Sequence, residues 1–228
     1  MNLRYFLLIL FFTISSMSWA QRSFLIGIHG SYMSSPEINR MISFYNTRNS
    51  QILSKELGKM NHNFGLELVY SRKPKREIGL TLRRNYLSAE ATEPGGVEVR
   101  RELRFRQNTF SWRHKFNAEK KWQFMLGFDL NVTRIRTRRI ENGRDQDFTV
   151  SMKGGNWSEL LGGGNSLYLI RTLGKNASIR LCYQFLWKKH SLDKLEGDLL
   201  NGYVSGSSNL PLKERFQSFG LQFTYNIL

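Results

Sequence analysis

The sequence predicts an all-β chain folded as an eight-stranded antiparallel up-and-down β-barrel, apolar outside and polar inside. Three observations predict it. Apolar and polar residues alternate with a period of two in segment after segment, the signature of strands with two different faces. Five glycines, Gly27, Gly65, Gly79, Gly127 and Gly220, all fall on the polar parity of their segments. Short connections alternate with long ones, as they must where consecutive strands run up and down a closed wall.

In chain order, the 228 residues begin with Arg4, an apolar run from Phe6 to Ile14 and the small residues of Ser18-Trp19-Ala20. Residues 1–20 therefore read as a cleavable secretory signal peptide, with 21–228 a single barrel domain. The run is too short to span a bilayer as a helix. The 34 Lys+Arg and 18 Asp+Glu give a net charge of +16, of which the leader takes only Arg4. In a cytosolic protein that charge would point to nucleic acid; export excludes it. The single cysteine, Cys182, cannot form an internal disulfide and reads as a packing residue.

The alternating runs place Phe24, Ile26 and Ile28 on one face, then Phe64 to Tyr70, Ile78 to Leu82, and Phe110, Trp112 and Phe116. The longest puts Trp122, Phe124, Leu126, Phe128, Leu130 and Val132 in phase. Ile179 to Trp187 and Phe219 to Ile227 complete the pattern, and a further strand near Leu160–Thr172 is required, its faces blurred by Gly162-Gly163-Gly164. Five glycines sharing the polar parity indicate a crowded interior, which a small barrel has. Residues 72–76, 117–121 and 173–176 read as tight turns; residues 33–59, 88–100, 137–156 and 191–213 read as long loops.

Eleven residues from Trp122 to Val132, at ~3.3 Å each and tilted by ~45°, cover ~25 Å, the height of a lipid-facing apolar band. Aromatics gather at its ends: Tyr70, Phe116, Trp122 and Tyr225 near the turns, Tyr32, Phe64, Tyr86 and Trp187 near the loops. The barrel is thus expected to be transmembrane, with short periplasmic turns and long extracellular loops.

Residues 122–128 (WQFMLGF), 160–164 (LLGGG) and 219–225 (FGLQFTY) resemble the outer-membrane β-barrel domain family of the porin-like superfamily. The resemblance covers the whole mature chain and rests on strand texture, not on a motif. It implies a small eight-stranded barrel in the outer membrane of a Gram-negative bacterium. One departure is the ending on Leu228, one position past the outward Ile227, where such barrels usually end on an outward aromatic residue.

Two clusters are candidate sites. Beyond Val132 the outward phase continues as Arg134, Arg136 and Arg138, and Arg84 follows Leu82. Folding back around residue 119 brings Arg104 and Arg106 opposite the region of Val132 and Arg134. Arg84, Arg104, Arg106, Arg134 and Arg136 are therefore expected to form a basic belt that holds lipopolysaccharide phosphates, guanidinium being suited to bidentate phosphate contact. A solvated charged extension is the alternative. Leu103 and Phe105 break the phase of Phe110 and Trp112, so a bulge would reverse the faces of Arg104 and Arg106. Inside, Glu67, Glu77, Arg83, Asp129 and Arg180 are expected to form a charge network that plugs the bore.

No catalytic site, metal site or cofactor is expected. His190 and Ser191 are adjacent and so point to opposite faces of a strand. A non-enzymatic, monomeric barrel with a structural or surface-interaction role follows, in contact with outer-membrane lipid and lipopolysaccharide. A lipid A-modifying enzyme of the deacylase or acyltransferase type, or a narrow solute pore, remains the alternative.

Overall fold

The computed structural model describes residues 23–145, 149–150, 161–192, 195, 199 and 213–227. The expected signal peptide lies outside them. The chain enters as strand β1 (Ser23–Ser34), turns into helix α1 (Pro36–Arg48), and continues through β2 (His62–Lys73), β3 (Arg76–Glu93), β4 (Val97–Lys115) and β5 (Trp122–Glu141). Strands β6 (Leu161–Leu173), β7 (Ala177–Leu186) and β8 (Gln217–Asn226) complete the wall. Each strand pairs antiparallel with the next, and β8 pairs back to β1, so the eight strands close with no free edge. Closure matters because unpaired backbone groups cannot be satisfied by hydrocarbon.

The register fixes the geometry of the barrel. From Gly30, hydrogen-bonded neighbours lead through Phe64, Arg84 and Arg106 to Arg134. In the other direction they lead through Leu221, Leu181 and Leu169 to Phe124. The two routes reach β5 ten residues apart, a shear of ten, which for eight strands at standard spacings corresponds to a tilt of ~41°.

Side chains sort as the alternation predicts. Ile28 is 63% exposed and Phe64 73%, and Trp112, Trp122 and Phe223 are also exposed on the outer wall. Glu67, Thr81, Arg83, Asp129, Arg180 and Gln222 are buried inside. No water-soluble domain hides its charges and bares its aromatics in this way, so the wall faces lipid. Strand β6 resolves with Leu167, Leu169 and Arg171 outward and Ser166, Tyr168 and Ile170 inward. Cys182 packs inside with Met125, Tyr168 and Ile170.

The inward glycines are explained by space. A Cβ on Gly79 would lie 2.7 Å from the Arg113 guanidinium carbon, and one on Gly127 would overlap Ser166 Oγ. These two glycines sit beside Arg113, one of three fully buried lumen arginines, and leave room for it.

Three expectations are corrected. The connection over residues 33–59 is not a loop throughout: Pro36–Arg48 is a helix, started by proline in its first turn and burying Ile38, Met41, Ile42 and Tyr45 on one side. Residues 88–100 are not a loop. Strands β3 and β4 pair without a break to Glu93 and Val97, joined by a turn in which Gly95 and Gly96 take φ of +94° and +77°. Strand β5 likewise runs through Thr137 to Glu141, where Asn142 and Gly143 turn the chain back. No bulge lies between Phe105 and Phe110, because both ladders of β4 keep one register throughout. The apparent phase break has another cause. Above the membrane the polarity of the strands inverts, and Leu103, Phe105 and Ile135 point inward together with Ala89 and Met33.

Those inward apolar residues form the floor of a second core. Helix α1 lies over them, joined by Leu57, Met60, Leu186 and Phe216. The helix is held by Glu214, whose Oε2 accepts from the amides of Glu37 at 2.7 Å and Ile38 at 3.3 Å. Ser35 donates to the Met60 carbonyl at 2.5 Å, and Asn39 bonds both Asn61 and the Met60 amide. The mouth of the barrel is thereby closed by a packed apolar cap.

Two outcomes follow. Gly127→Leu is expected to destabilise the barrel by ~1–3 kcal/mol through overpacking, read as a lower urea midpoint, whereas Phe128→Leu on the outer wall leaves the midpoint nearly unchanged. Burial pushes the Glu214 carboxyl above its ordinary range, despite the two amide donors that pull it down. The folded state then holds the proton more tightly than the unfolded chain. Stability falls as pH rises from the ordinary carboxylate value through the raised one, and Glu214→Gln is expected to remove that dependence in pH-resolved denaturation.

Candidate arginine belt and lumen network

The outward belt is assembled by register. Arg84 lies directly opposite Arg106, and Arg106 directly opposite Arg134. One pleat further out Arg104 lies opposite Arg136. The sequence expectation placed Arg104 and Arg106 opposite the region of Arg134 and Val132; the pairing is displaced one pleat outward, and Val132 faces Asn108. All five predicted arginines share the outer face of β3, β4 and β5, immediately above the row of Leu82, Asn108 and Val132.

Like charges opposite one another across a ladder oppose strand pairing, by a few tenths to ~1 kcal/mol each on the scale of cross-strand pairs. Three such pairs occur here. One carboxylate sits among them: Glu102, only 5% exposed, which accepts from Tyr86 Oη at 2.5 Å and from Arg104 at 3.3 Å. Arg100 donates to Tyr86 Oη at 2.8 Å, and Arg104 lies 5.4 Å over the Tyr86 ring. The buried Arg136 Nε has no hydrogen-bond partner. Sequence reasoning missed Glu102, Tyr86 and Arg100; the even parity they share with Arg104 on adjacent strands was the available signal.

The lumen holds the five predicted charges and one more, Arg113, which pairs with Glu67. Arg113, fully buried, donates to Glu67 Oε1 at 2.5 Å and lies 4.7 Å over the Tyr168 ring. Thr81 donates to the same Glu67 oxygen at 3.2 Å. Arg180 grips Glu77 with both terminal nitrogens, at 2.9 and 3.2 Å, and Lys115 pairs with Glu77 from below. Arg83 takes a different set of partners: its Nη1 donates to Gln184 at 2.5 Å, Ser218 at 2.9 Å and Gln107 at 3.2 Å. Gln184 in turn donates to Asp129 at 2.7 Å, and Ser166 donates to the other Asp129 oxygen at 3.1 Å. The predicted residues therefore sit in three groups across the bore: Glu67 with Arg113, Glu77 with Arg180 and Lys115, and Arg83 joined to Asp129 through Gln184. Arg113 was legible as the inward position between Ser111 and Lys115.

No family model and no curated protein matches the chain. Solved structures do resemble it in fold. Neisserial surface protein A aligns with a TM-score of 0.48 and 12% identity over 90% of this chain and 98% of its own. The attachment invasion locus protein Ail of Yersinia pestis, in complex with the heparin analogue sucrose octasulfate, aligns at 0.46 and 10%, over 90% and 97%. The outer membrane protein OprG of Pseudomonas aeruginosa aligns at 0.41 and 10%, over 91% and 96%.

His190 and Ser191 lie in a two-residue pairing with Lys213 and Glu214, His190 buried and Ser191 exposed. His190 stacks on Phe216 with centroids 5.5 Å apart.

Removing one member of the lumen network is expected to be worse than removing a pair. Arg113→Met leaves Glu67 as an uncompensated buried charge and is expected to destabilise by ~3–5 kcal/mol, while Arg113→Met with Glu67→Met recovers most of the loss. Urea midpoints of the folded barrel, followed by tryptophan fluorescence in detergent, provide the measurement.

Proposed function

We propose that the chain is a non-enzymatic, monomeric barrel of the Gram-negative outer membrane with a structural or surface-interaction role, which contacts lipopolysaccharide phosphates through Arg84, Arg104, Arg106, Arg134 and Arg136. The observation that carries the proposal is the row of guanidinium pairs facing one another on the outer wall, just above the apolar band. Such a row is unfavourable by itself and becomes favourable when phosphate oxygens lie between the pairs, since each guanidinium can then make charge-assisted bonds. The height is that of the anionic headgroups of the outer leaflet. A solvated extension would not explain why Arg136 Nε is buried without a partner.

The packed lumen supports a structural bore and not a conducting one, because eight strands leave an interior that side chains fill. The export signal read from residues 1–20 and the lipid-facing wall support the location.

Replacing the five arginines with glutamine is expected to cut the lipopolysaccharide that co-purifies with the extracted barrel to about a fifth or less, given the strength of charge-assisted phosphate contacts. Organic phosphate per mole of protein measures it. Unchanged co-purification by a variant that keeps its heat-modifiable gel migration overturns the proposal.

A further inference from the structure

One place in the outer wall lacks a side chain. On β1 the outward row runs Ile26, Ile28, Gly30 and Tyr32, so a glycine stands where the alternation puts a lipid-facing residue. Its ladder neighbours, Phe64 on β2 and Leu221 on β8, project from the wall on either side, and Tyr32 and Phe219 stand above it. Together they enclose a notch of about 310 Å³ with Gly30 as its floor. Close packing does not require this glycine. A Cβ on Gly30 would have Phe64 Cε1 as its nearest neighbour at 3.9 Å, an ordinary contact, whereas one on the inward Gly27 would lie 2.7 Å from Thr224 Cγ2. Gly163, the other outward glycine of the described strands, is covered by Trp187, whose Cε3 would lie 2.7 Å from its Cβ. Gly30 is thus the outward glycine left uncovered, and a glycine inside a strand marks a place where something approaches the backbone closely.

The register gives the notch its height. The ladder row that starts at Gly30 passes through Phe64 and Arg84 and climbs toward the extracellular side, reaching Arg134 on β5. At ~4.8 Å between strands and a tilt of ~41°, each strand along this row adds ~3 Å of height, which sets Gly30 ~6 Å below Arg84 and ~7 Å to its side. Tyr32, two residues further along β1, rises ~5 Å above Gly30 at ~3.3 Å per residue and is nearly level with Arg84. Tyr32 meets His62 edge to face, with ring centroids 5.8 Å apart. A head group resting across Tyr32, His62 and Arg84 therefore has the notch beneath it, inside the hydrocarbon.

We propose that the notch at Gly30 is an acyl-chain site, which seats one saturated chain of the lipopolysaccharide whose phosphate lies on Arg84. The placement of the head group rests on the arginine-belt reading given above; the seat for the chain rests on the notch. Hydrocarbon surrounds the whole wall, so a preference for one chain comes from van der Waals fit and not from the hydrophobic effect. A chain over Gly30 touches the backbone floor and the side chains of Phe64 and Leu221 at once, and such weak contacts add up only where surfaces match. The belt and the notch thus hold the two ends of one lipid.

Native mass spectrometry of the detergent-solubilised full chain, titrated with bisphosphorylated hexa-acyl lipid A, tests this through the apparent Kd. Gly30→Leu, which fills the notch without a clash, is expected to weaken binding by at least about threefold, the scale of a handful of lost van der Waals contacts. Phe64→Ala, which removes one side of the notch, is expected to do the same, while Phe128→Leu on the opposite wall leaves binding intact. Heat-modifiable migration verifies that each variant is folded, and if Gly30→Leu fails to fold, Phe64→Ala decides. Binding that the notch variant leaves unchanged overturns the acyl-chain site; if the five-arginine variant weakens it, the belt reading stands without it. Weaker binding by the notch variants with the five-arginine variant unchanged upholds the acyl-chain site and overturns the belt. An equal loss for dipalmitoyl phosphatidylglycerol overturns lipopolysaccharide as the source of the chain.

Discussion

The lumen ion pairs are the constraint on which everything else depends. A barrel of eight strands has a fixed bore, and its inner wall must be filled. This chain fills it with Arg113 on Glu67 and Arg180 on Glu77. Because long charged side chains cross the bore, other inward positions must be empty, and Gly79 and Gly127 supply the room beside Arg113. Because the paired charges are held within, the membrane-facing band of the outer wall can be apolar. The strand alternation, the glycine parity and the bare aromatics are three consequences of one packing problem.

Above the hydrocarbon the problem reverses. Water replaces lipid outside, so the outward parity turns from Leu82, Leu130 and Val132 to arginine, and the inward parity turns from glutamate and threonine to Leu103, Phe105 and Ile135. The arginine belt marks the level at which the change occurs. The same inversion creates the floor on which helix α1 rests. The belt and the cap both arise from three strands continuing past the membrane.

This inversion also separates what could be read from sequence from what could not. The band from Trp122 to Val132 was legible because one period and one polarity hold for eleven residues. The belt was legible because its phase carries on unchanged. Residues 88–100 were misread as a loop because Ala89, Ala91 and Val99 alternate with the opposite polarity and surround Pro94-Gly95-Gly96, which resembles a longer break than the tight turn it is. Helix α1 was missed although Ile38, Met41, Ile42 and Tyr45 have helical spacing, because a 13-residue helix in a long connection has nothing to pack on until the strands beneath it are known to invert. Glycines hid the faces of β6, since Gly162 and Gly164 mark inward positions only by lacking side chains. Arg113 was overlooked because an inward charge is recognised by its partner, and Glu67 lies two strands away.

The apolar cap has a thermal consequence. Met33, Ile42, Leu103 and Phe105 would pass into water if α1 detached, whereas the outer wall of the barrel stays in hydrocarbon whether or not the cap is in place. Exposure of apolar surface to water is what gives unfolding its positive heat capacity and its curved temperature dependence. Opening of the mouth therefore carries a heat-capacity change that motions confined to the lipid-facing wall do not. The molecule joins a part that responds to temperature as soluble proteins do to a part that does not, and the grip of α1 on the mouth weakens on cooling as well as on heating.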